Sequence, residues 1–312
     1  MQKSILLVVF FIMASVSAIG VNKFSLDESD IKLAICNGSY DNTYIEKGNY
    51  YQIVEDVKAD KWYGWNGRSF IFLNNDILCL MLLDKILFYD CNNKSVIRKL
   101  DLLNYTYATV KNREKTELYI FSGGFIYQYN FKKDKLTELK KLEETNEYGN
   151  IHFKSTKFPS AVLTSKCAYS KSRNSIFYEF GTGHNNIIYE LSLETYQAEP
   201  RFQGGKCPVV IEEHNKVYYL GGKPSQILSA RLDDLSKTEV ELKYKLDIWY
   251  FCMNKEGLLL FVHRSRFAMN FPYYDQYDKI FKIRDTDGKI KAITTKYGLY
   301  ETPFDFIVDN NE

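Results

Sequence analysis

Past the N-terminal segment, hydrophobic positions come in short runs rich in Val, Ile, Phe and Tyr, divided by clusters of Asn, Asp, Gly and Lys. Long stretches with a helical period are few, so the pattern predicts β-strands joined by polar turns. One unit recurs. Its first half is strand, turn, strand, as in Phe70-Ile71-Phe72-Leu73-Asn74-Asn75-Asp76-Ile77-Leu78-Cys79-Leu80. The same arrangement returns in Ala108-Thr109-Val110 with Leu118-Tyr119-Ile120-Phe121, and in Cys167-Ala168-Tyr169 with Ile176-Phe177-Tyr178. It returns again in Val209-Val210-Ile211 with Val217-Tyr218-Tyr219-Leu220, and in Trp249-Tyr250-Phe251 with the strand near Val262. The second half is another hairpin, anchored at Tyr51, Leu87, Tyr127, Tyr189, Leu228 and Phe281. These anchors are 36, 40, 62, 39 and 53 residues apart, a period near 40 with two insertions.

Four antiparallel strands per period is the mark of a β-propeller blade, whose sheet buries both faces only by stacking against neighbouring blades. The predicted fold is all-β: a six-bladed β-propeller of four-stranded antiparallel blades. The C-terminal Pro303-Phe304-Asp305-Phe306-Ile307-Val308 matches the first strand of the unit, and the missing strands lie at the N-terminus, from Ile31-Lys32-Leu33-Ala34-Ile35 onward. One blade is therefore expected to combine N- and C-terminal strands, pairing the edges an open ring would expose. Five or seven blades also fit, because the 62-residue interval has room for an extra element. Tyr119-Ile120-Phe121-Ser122-Gly123-Gly124 followed by Tyr127-Gln128-Tyr129-Asn130 resembles a kelch repeat, and Val217-Tyr218-Tyr219-Leu220-Gly221-Gly222 resembles it again. The Gly pair is absent from the other units and the outer-strand Trp of that repeat is replaced, for example by Leu136. The resemblance implies a propeller and no particular activity.

Composition changes the picture in two ways. Charge is balanced, 41 basic against 39 acidic residues, which argues against a polybasic nucleic-acid binder. The 45% apolar content excludes global disorder. The lysine-rich hairpin from Lys132 to Lys141 carries interleaved Asp134 and Glu138, which predicts a solvated outer strand of mixed charge.

Residues 1–18 read as a secretory signal: Lys3 in the basic region, an apolar run, and Val16-Ser17-Ala18 before a cleavage point. The apolar stretch 5–19 has 15 residues, short of the ~20 that span a bilayer. No later run approaches that length, so residues 19–312 are expected as a single propeller domain, secreted and without a membrane span. Six cysteines follow the leader, an even number. Repeat register suggests pairing Cys79 with Cys91 and Cys167 with Cys207, leaving Cys36 with Cys252, against the alternative of buried thiols. Three N-x-S/T sequons, at Asn37, Asn93 and Asn104, are candidate glycosylation sites.

Chemistry-bearing motifs are scarce. His152, His184, His214 and His263 fall in different repeat intervals with no metal-ligand spacing. No nucleophile elbow and no Walker loop occurs. Gly181-Thr182-Gly183-His184-Asn185 lies between strands and reads as a hairpin turn, as does Asp285-Thr286-Asp287-Gly288, which lacks the ligand pattern of a calcium loop. No catalytic residue, metal or cofactor is assigned. Function is instead expected on loops of one face, where second-to-third strand loops and blade connections meet. Residues 37–49, 143–158 and 265–278 read as insertions on that face. The last contains Phe267, Phe271, Tyr273, Tyr274 and Tyr277, a candidate face for a ligand or partner because such rings give large contact area at low entropic cost. The sequence thus points to a secreted binding protein for an extracellular small ligand, glycan or partner protein. The alternative is a secreted propeller enzyme, a hydrolase, lyase or glycan-processing protein with its site at the channel mouth. The sequence assigns no oligomeric state.

Overall fold

The computed structural model describes residues 31–36, 42–46, 49–52, 70–74, 76–81, 85–102, 106–112, 116–122, 125–141, 167–180, 186–221, 226–244, 248–257, 259–263, 280–284, 288–293 and 302–308. The strands are β1 (Ile31–Cys36), β2 (Asn42–Glu46), β3 (Asn49–Gln52), β4 (Phe70–Phe72), β5 (Ile77–Met81), β6 (Lys85–Asp90), β7 (Ser95–Asp101) and β8 (Thr106–Asn112). There follow β9 (Glu117–Ser122), β10 (Phe125–Asn130), β11 (Lys135–Lys141), β12 (Cys167–Ser170), β13 (Ser175–Phe180), β14 (Ile187–Ser192), β15 (Ala198–Gln203) and β16 (Lys206–Ile211). The rest are β17 (Lys216–Leu220), β18 (Gln226–Arg231), β19 (Asp234–Lys243), β20 (Ile248–Met253), β21 (Leu259–His263), β22 (Ile280–Arg284), β23 (Ile290–Ile293) and β24 (Thr302–Val308).

These strands pair antiparallel into four-stranded sheets, five of them of consecutive strands from β4 to β23 and one ordered β24-β1-β2-β3. The fold is an all-β propeller. First strands approach one another in the order β8, β12, β16, β20, β24, and β24 returns to β4. The composite sheet joins chain ends as expected, with Leu33 opposite Phe306 and Ile31 opposite Val308. Side-chain packing is described through the four sheets from β4 to β19 and part of the β20–β23 sheet; for the composite sheet the strand pairing alone is described.

Burial explains why these sequences form blades. The second strands β5, β9 and β17 are buried almost throughout, because a neighbouring sheet covers each face, whereas the third strands β10, β14 and β18 mix buried and part-buried positions. Outer strands β7, β11 and β19 have no buried residue, and they carry the charge. Alternate residues of one strand therefore serve two different cores. Tyr119 and Phe121 pack with Ile176, Tyr178 and Leu191 of the next sheet, whereas Leu118 and Ile120 pack with Cys79 and Phe88 of the previous one. Phe177 and Ile188 meet Val210, Val217 and Tyr219, and beyond them Ile211 and Tyr218 meet Phe251 and Phe261.

The repeat is also visible in one hydrogen bond. The residue after the third strand donates its N–H to the carbonyl preceding the second: Cys91 to Asp76 (2.8 Å), Phe131 to Thr116 (3.2 Å), Leu193 to Asn174 (2.9 Å) and Leu232 to Asn215 (2.9 Å). Left-handed residues stand at the ends of both hairpin turns, Thr116, Asn174 and Asn215 in one set and Lys94, Asp134 and Tyr196 in the other.

Five of the six second-half anchors, from Leu87 to Phe281, lie on third strands. Tyr51 does not. It lies on β3, the outer strand of the composite sheet, opposite Tyr44 of β2. Residues 37–49 are accordingly not a simple loop insertion, since Asn42–Glu46 is the third strand itself. Asn-Thr-Tyr-Ile-Glu is a short run whose β-branched and aromatic residues nonetheless suffice to pair.

Candidate functional site

Cys167 begins β12, Glu179 is the penultimate residue of β13, Asn186 immediately precedes β14, and Cys207 is the second residue of β16. All four lie at the same end of the sheets, called the upper end here. Asn186, which leads into β14, and the connection from β15 to β16 meet there, with the Gly204 N–H donating to the Asn186 carbonyl at 2.6 Å.

A bulge builds the polar centre. In β16, Lys206 pairs with Leu220 and Val209 with Tyr218, so Cys207 and Pro208 together oppose one residue. Pro208 has no N–H to give a ladder, and Cys207 adopts φ +52°. The bulge turns the Cys207 N–H out of the sheet and onto Glu179 Oε2 of the preceding sheet, at 3.1 Å. Asn186 Nδ2 donates to the other oxygen, Oε1. Both side-chain carriers are deeply buried, Glu179 at 7% and Asn186 at 3% exposure. Gly205 permits the close approach of this connection: a Cβ there would lie 2.9 Å from Ile188 Cδ1 and 3.0 Å from the Phe202 carbonyl oxygen. The Asn186 Oδ1 atom has no hydrogen-bond partner among the described residues.

Around this centre, groups are held in their neutral forms. Burial, with the Glu179 carboxylate adding, pushes the Cys167 thiol up to about 12, so at neutral pH it is a protonated thiol and a poor nucleophile. Burial likewise raises the Tyr178 phenol, with Tyr189 and Cys167 contributing, and the Tyr178 and Tyr189 rings stack at 5.7 Å.

The lower end of the same interface is charged. Arg173 gives Nε and Nη2 to the two oxygens of Glu190 at 2.5 and 3.0 Å, and its Nη1 reaches the Leu232 carbonyl of the next sheet at 2.6 Å. Arg201 and the Ser175 hydroxyl also donate to Glu190, at 2.8 Å each. Glu212 of the next sheet accepts from Ser170 Oγ (2.9 Å) and the Lys171 N–H (2.7 Å). One sheet pair back, Arg98 reaches the Phe131 carbonyl at 2.6 Å. Arginine-to-carbonyl bonds thus join successive sheets.

Of the residues singled out in the sequence, Phe267, Phe271, Tyr273, Tyr274 and Tyr277 lie outside the described residues, as do the insertion 143–158, Asn37 and Asn104. Asn93 lies in the exposed β6–β7 turn, where its N–H and Nδ2 bond to Asp90 at 2.9 and 2.8 Å. The expected disulfides are corrected. Cys79 is mid-strand opposite Phe88, whereas the Cys91 N–H bonds to the Asp76 carbonyl, three residues away along β5. That offset is about 10 Å along the strand, beyond the 7 Å limit between bridged Cα atoms. Cys167 packs toward the β8–β11 sheet, but Cys207 packs toward the β20–β23 sheet, so their side chains diverge from neighbouring blades. No disulfide joins Cys79, Cys91, Cys167, Cys207 or Cys252 among the described residues, and the side chain of Cys36 lies outside them.

His214 Nδ1 bonds the Tyr218 hydroxyl at 2.8 Å, and no three His, Cys, Asp or Glu side chains gather to hold a metal among the described residues. Nor is any helix there long and apolar enough to cross a membrane. The Glu179–Asn186–Cys207 centre was not anticipated from sequence; its only local trace is the Gly204-Gly205 pair ahead of Cys207-Pro208.

No family model matches the chain, and no curated protein sequence does. Among solved structures, a putative TolB from Agrobacterium tumefaciens is similar at 12% identity and a TM-score of 0.56, over 89% of this chain and 98% of that one. A chain of the nidogen/laminin complex is similar at 7% identity and a TM-score of 0.51, over 85% of this chain and 93% of that one. Against Kuenenia stuttgartiensis hydrazine synthase, at 8% identity and a TM-score of 0.48, the match covers 72% of this chain and spans only 64% of that chain's length. At such identities the likeness shows the propeller fold and nothing finer.

Proposed function

We propose that the chain is a secreted, six-bladed, kelch-like propeller that binds a small extracellular ligand, a glycan or a partner protein through its upper face. The observation that carries this reading is the upper end of the β12–β15 and β16–β19 sheets. There Asn186 and the β15–β16 connection meet around a buried carboxylate that neutral donors hold in place. Such preorganised polar groups at the mouth of a rigid scaffold suit recognition. The elevated Cys167 thiol fits that role better than catalysis. The aromatic segment 265–278 lies in the sequence between β21 and β22, and on this reading it contributes rings to the binding face. The nidogen/laminin neighbour belongs to a protein–protein complex, which agrees with an interaction role. The leader 1–18, with cleavage after Ala18, supports secretion, and Asn37, Asn93 and Asn104 are then available as glycan acceptors.

The test expresses the full chain, sequences the N-terminus of exported material, and screens it against immobilised glycans, lipids and small amines. Replacement of Tyr273, Tyr274 and Tyr277 together by Ser should abolish the binding found while leaving the melting temperature unchanged. A large stability loss with binding intact would place these rings in the core instead.

A further inference from the structure

The turn from β10 into β11 carries lysines whose charge nothing around them cancels. Lys132, Lys133 and Lys135 are exposed, and none has an acidic partner among the described residues. The acid that stands among them, Asp134, is already engaged. It accepts from the Tyr129 hydroxyl at 2.6 Å and lies 3.5 Å from Arg98 of the preceding sheet. Arg98 also donates to the Phe131 carbonyl at 2.6 Å and stands 4.4 Å over the Phe131 ring, while Asn130 Oδ1 accepts the Lys133 N–H at 2.9 Å. Glu117 on β9 accepts from the side-chain amides of Gln128 and Asn130, at 3.1 Å each, and Glu138 stands three residues beyond Lys135, opposite Tyr127. The turn is thus held in place, its own carboxylate is paired with an arginine, and three ammonium groups remain in solvent.

Folding does not call for these lysines. The corresponding turns carry Asn92-Asn93 after β6, Glu194-Thr195 after β14 and Asp233 after β18, and the same backbone hydrogen bond precedes each. Lysines on an open strand edge discourage indiscriminate pairing. Lys132 and Lys133 precede the strand, however, and the equally open β19 mixes Lys237 and Lys243 with Asp234, Glu239 and Glu241. We propose that this turn is a binding site for a linear sulfated polysaccharide, separate from the upper face. Unpaired ammonium groups meet anionic oxygens as point charges, and the release of the polyanion's counterions drives the contact. An anionic membrane would lie across the turns of several sheets, and it would meet Glu194, Asp233 and Asp234 in the next two. Single-stranded nucleic acid is held on exposed aromatic rings against which its bases stack. The ring at this turn, Phe131, is instead covered by Arg98 and packed 5.0 Å from Phe88. A sulfated chain needs neither a flat basic field nor a stacking ring.

The experiment measures binding of the full chain to immobilised heparin across salt concentration, with desulfated heparin, phosphatidylserine vesicles and oligothymidine as comparators. Each neutralised charge adds about 0.7–0.9 to the slope of log affinity against log salt. The variant K132Q/K133Q/K135Q should therefore bind heparin about tenfold more weakly or worse at physiological salt, with a slope lower by about 2–3 and unchanged melting. The variant K237Q/K255Q alters two exposed lysines elsewhere and should bind like wild type; an equal loss there would show that no one turn is selected, and would overturn the proposal. The triple replacement of Tyr273, Tyr274 and Tyr277 by Ser should leave heparin binding intact, which separates this site from the upper-face reading; a loss in that variant would overturn the separate site. A wild-type chain that ignores heparin at low salt, or binds its desulfated form equally, overturns the proposal, as does heparin binding that the lysine variant leaves unchanged. Tighter binding to the vesicles or to oligothymidine would assign the turn to a lipid surface or a nucleic acid, and would also overturn it.

Discussion

Glu179 and Glu190 lie on the paired strands β13 and β14, two register steps apart, and both turn toward the next sheet. Glu179 is opposite Ile188 and accepts the Cys207 N–H at 3.1 Å; Glu190 is opposite Phe177 and holds the Arg173 that reaches the Leu232 carbonyl. Between them lies the apolar core of Phe177, Ile188, Val217 and Tyr219. Each end of this sheet-to-sheet interface therefore has a buried carboxylate that accepts hydrogen bonds from the polar groups around it. The upper one is bound by neutral donors, and the lower one by two arginines.

That difference makes Glu190 a source of acid sensitivity. Burial alone would raise its carboxyl, but the hydrogen bonds from Arg173 and Ser175 and the charges of Arg173 and Arg201 outweigh it and hold it below the ordinary 4.5. A depressed folded value means stabilisation that is present above about pH 4.5 and lost as pH falls through the lower folded value. Glu190→Gln should cost about 1–3 kcal/mol at pH 7, since it takes the carboxylate from the part-buried Arg173 while Arg201 keeps Glu199. Chemical denaturation across pH 2–7 should show the gap between wild type and variant closing at the acid end. A pH-independent gap would mean that packing, not charge, is what Glu190 supplies.

The turn before each second strand offers a milder test. Thr116 (φ +53°), Asn174 (+45°), Asn215 (+51°) and Gly257 (+86°) occupy the equivalent left-handed position. Asn and Gly adopt this conformation readily, but a β-branched residue is crowded in it. Thr116→Asn should therefore stabilise by about 0.5–1 kcal/mol, and Asn174→Thr should destabilise by a similar amount. Calorimetry that shows both substitutions neutral would remove backbone strain from the account of these turns.

Strand pairs and their order were legible in the sequence because blade strands covered on both faces read as apolar runs bounded by turn residues. The anchors Leu87, Tyr127, Tyr189, Leu228 and Phe281 all fall on third strands for that reason. Tyr51 misled because β2 is short and pairs directly with the strand that carries Tyr51. The cysteine pairings failed on a subtler point. Register reports the height of Cys167 and Cys207 along their strands, but not that one side chain packs backward and the other forward around the ring. The Glu179 centre was invisible because Cys207, 28 residues on, reaches it through a backbone N–H that a bulge releases, and a backbone donor leaves no residue-type signature.

The first glycine of the Gly221-Gly222 pair has a steric explanation that can be checked. A Cβ on Gly221 would lie 2.7 Å from Leu228 Cδ1 and 2.8 Å from its Cγ, the side chain on the neighbouring strand β18. Gly221→Ala should cost about 1–3 kcal/mol through overpacking. Leu228→Ala removes the obstructing atoms, so Gly221→Ala in that background should cost far less. Additive losses in the double variant would show that something other than this contact requires the glycine.

Ring closure yields the largest predicted effect. β24 pairs with β1 along its length, from Ile31 opposite Val308 to Cys36 opposite Thr302, and it lies beside both β20 and β4. It is the first strand of its sheet, and its removal would leave β1 as an unpaired edge facing the middle of the ring. A chain ending at residue 300 should lose its sharp unfolding transition and aggregate through that edge. Supplying the peptide 301–312 should restore a cooperative transition, because the lost pairings are backbone hydrogen bonds that an added strand can remake. A truncated chain that melts like the intact one would mean that β24 contributes no closure, and the composite sheet would then not be what holds the two ends of the propeller together.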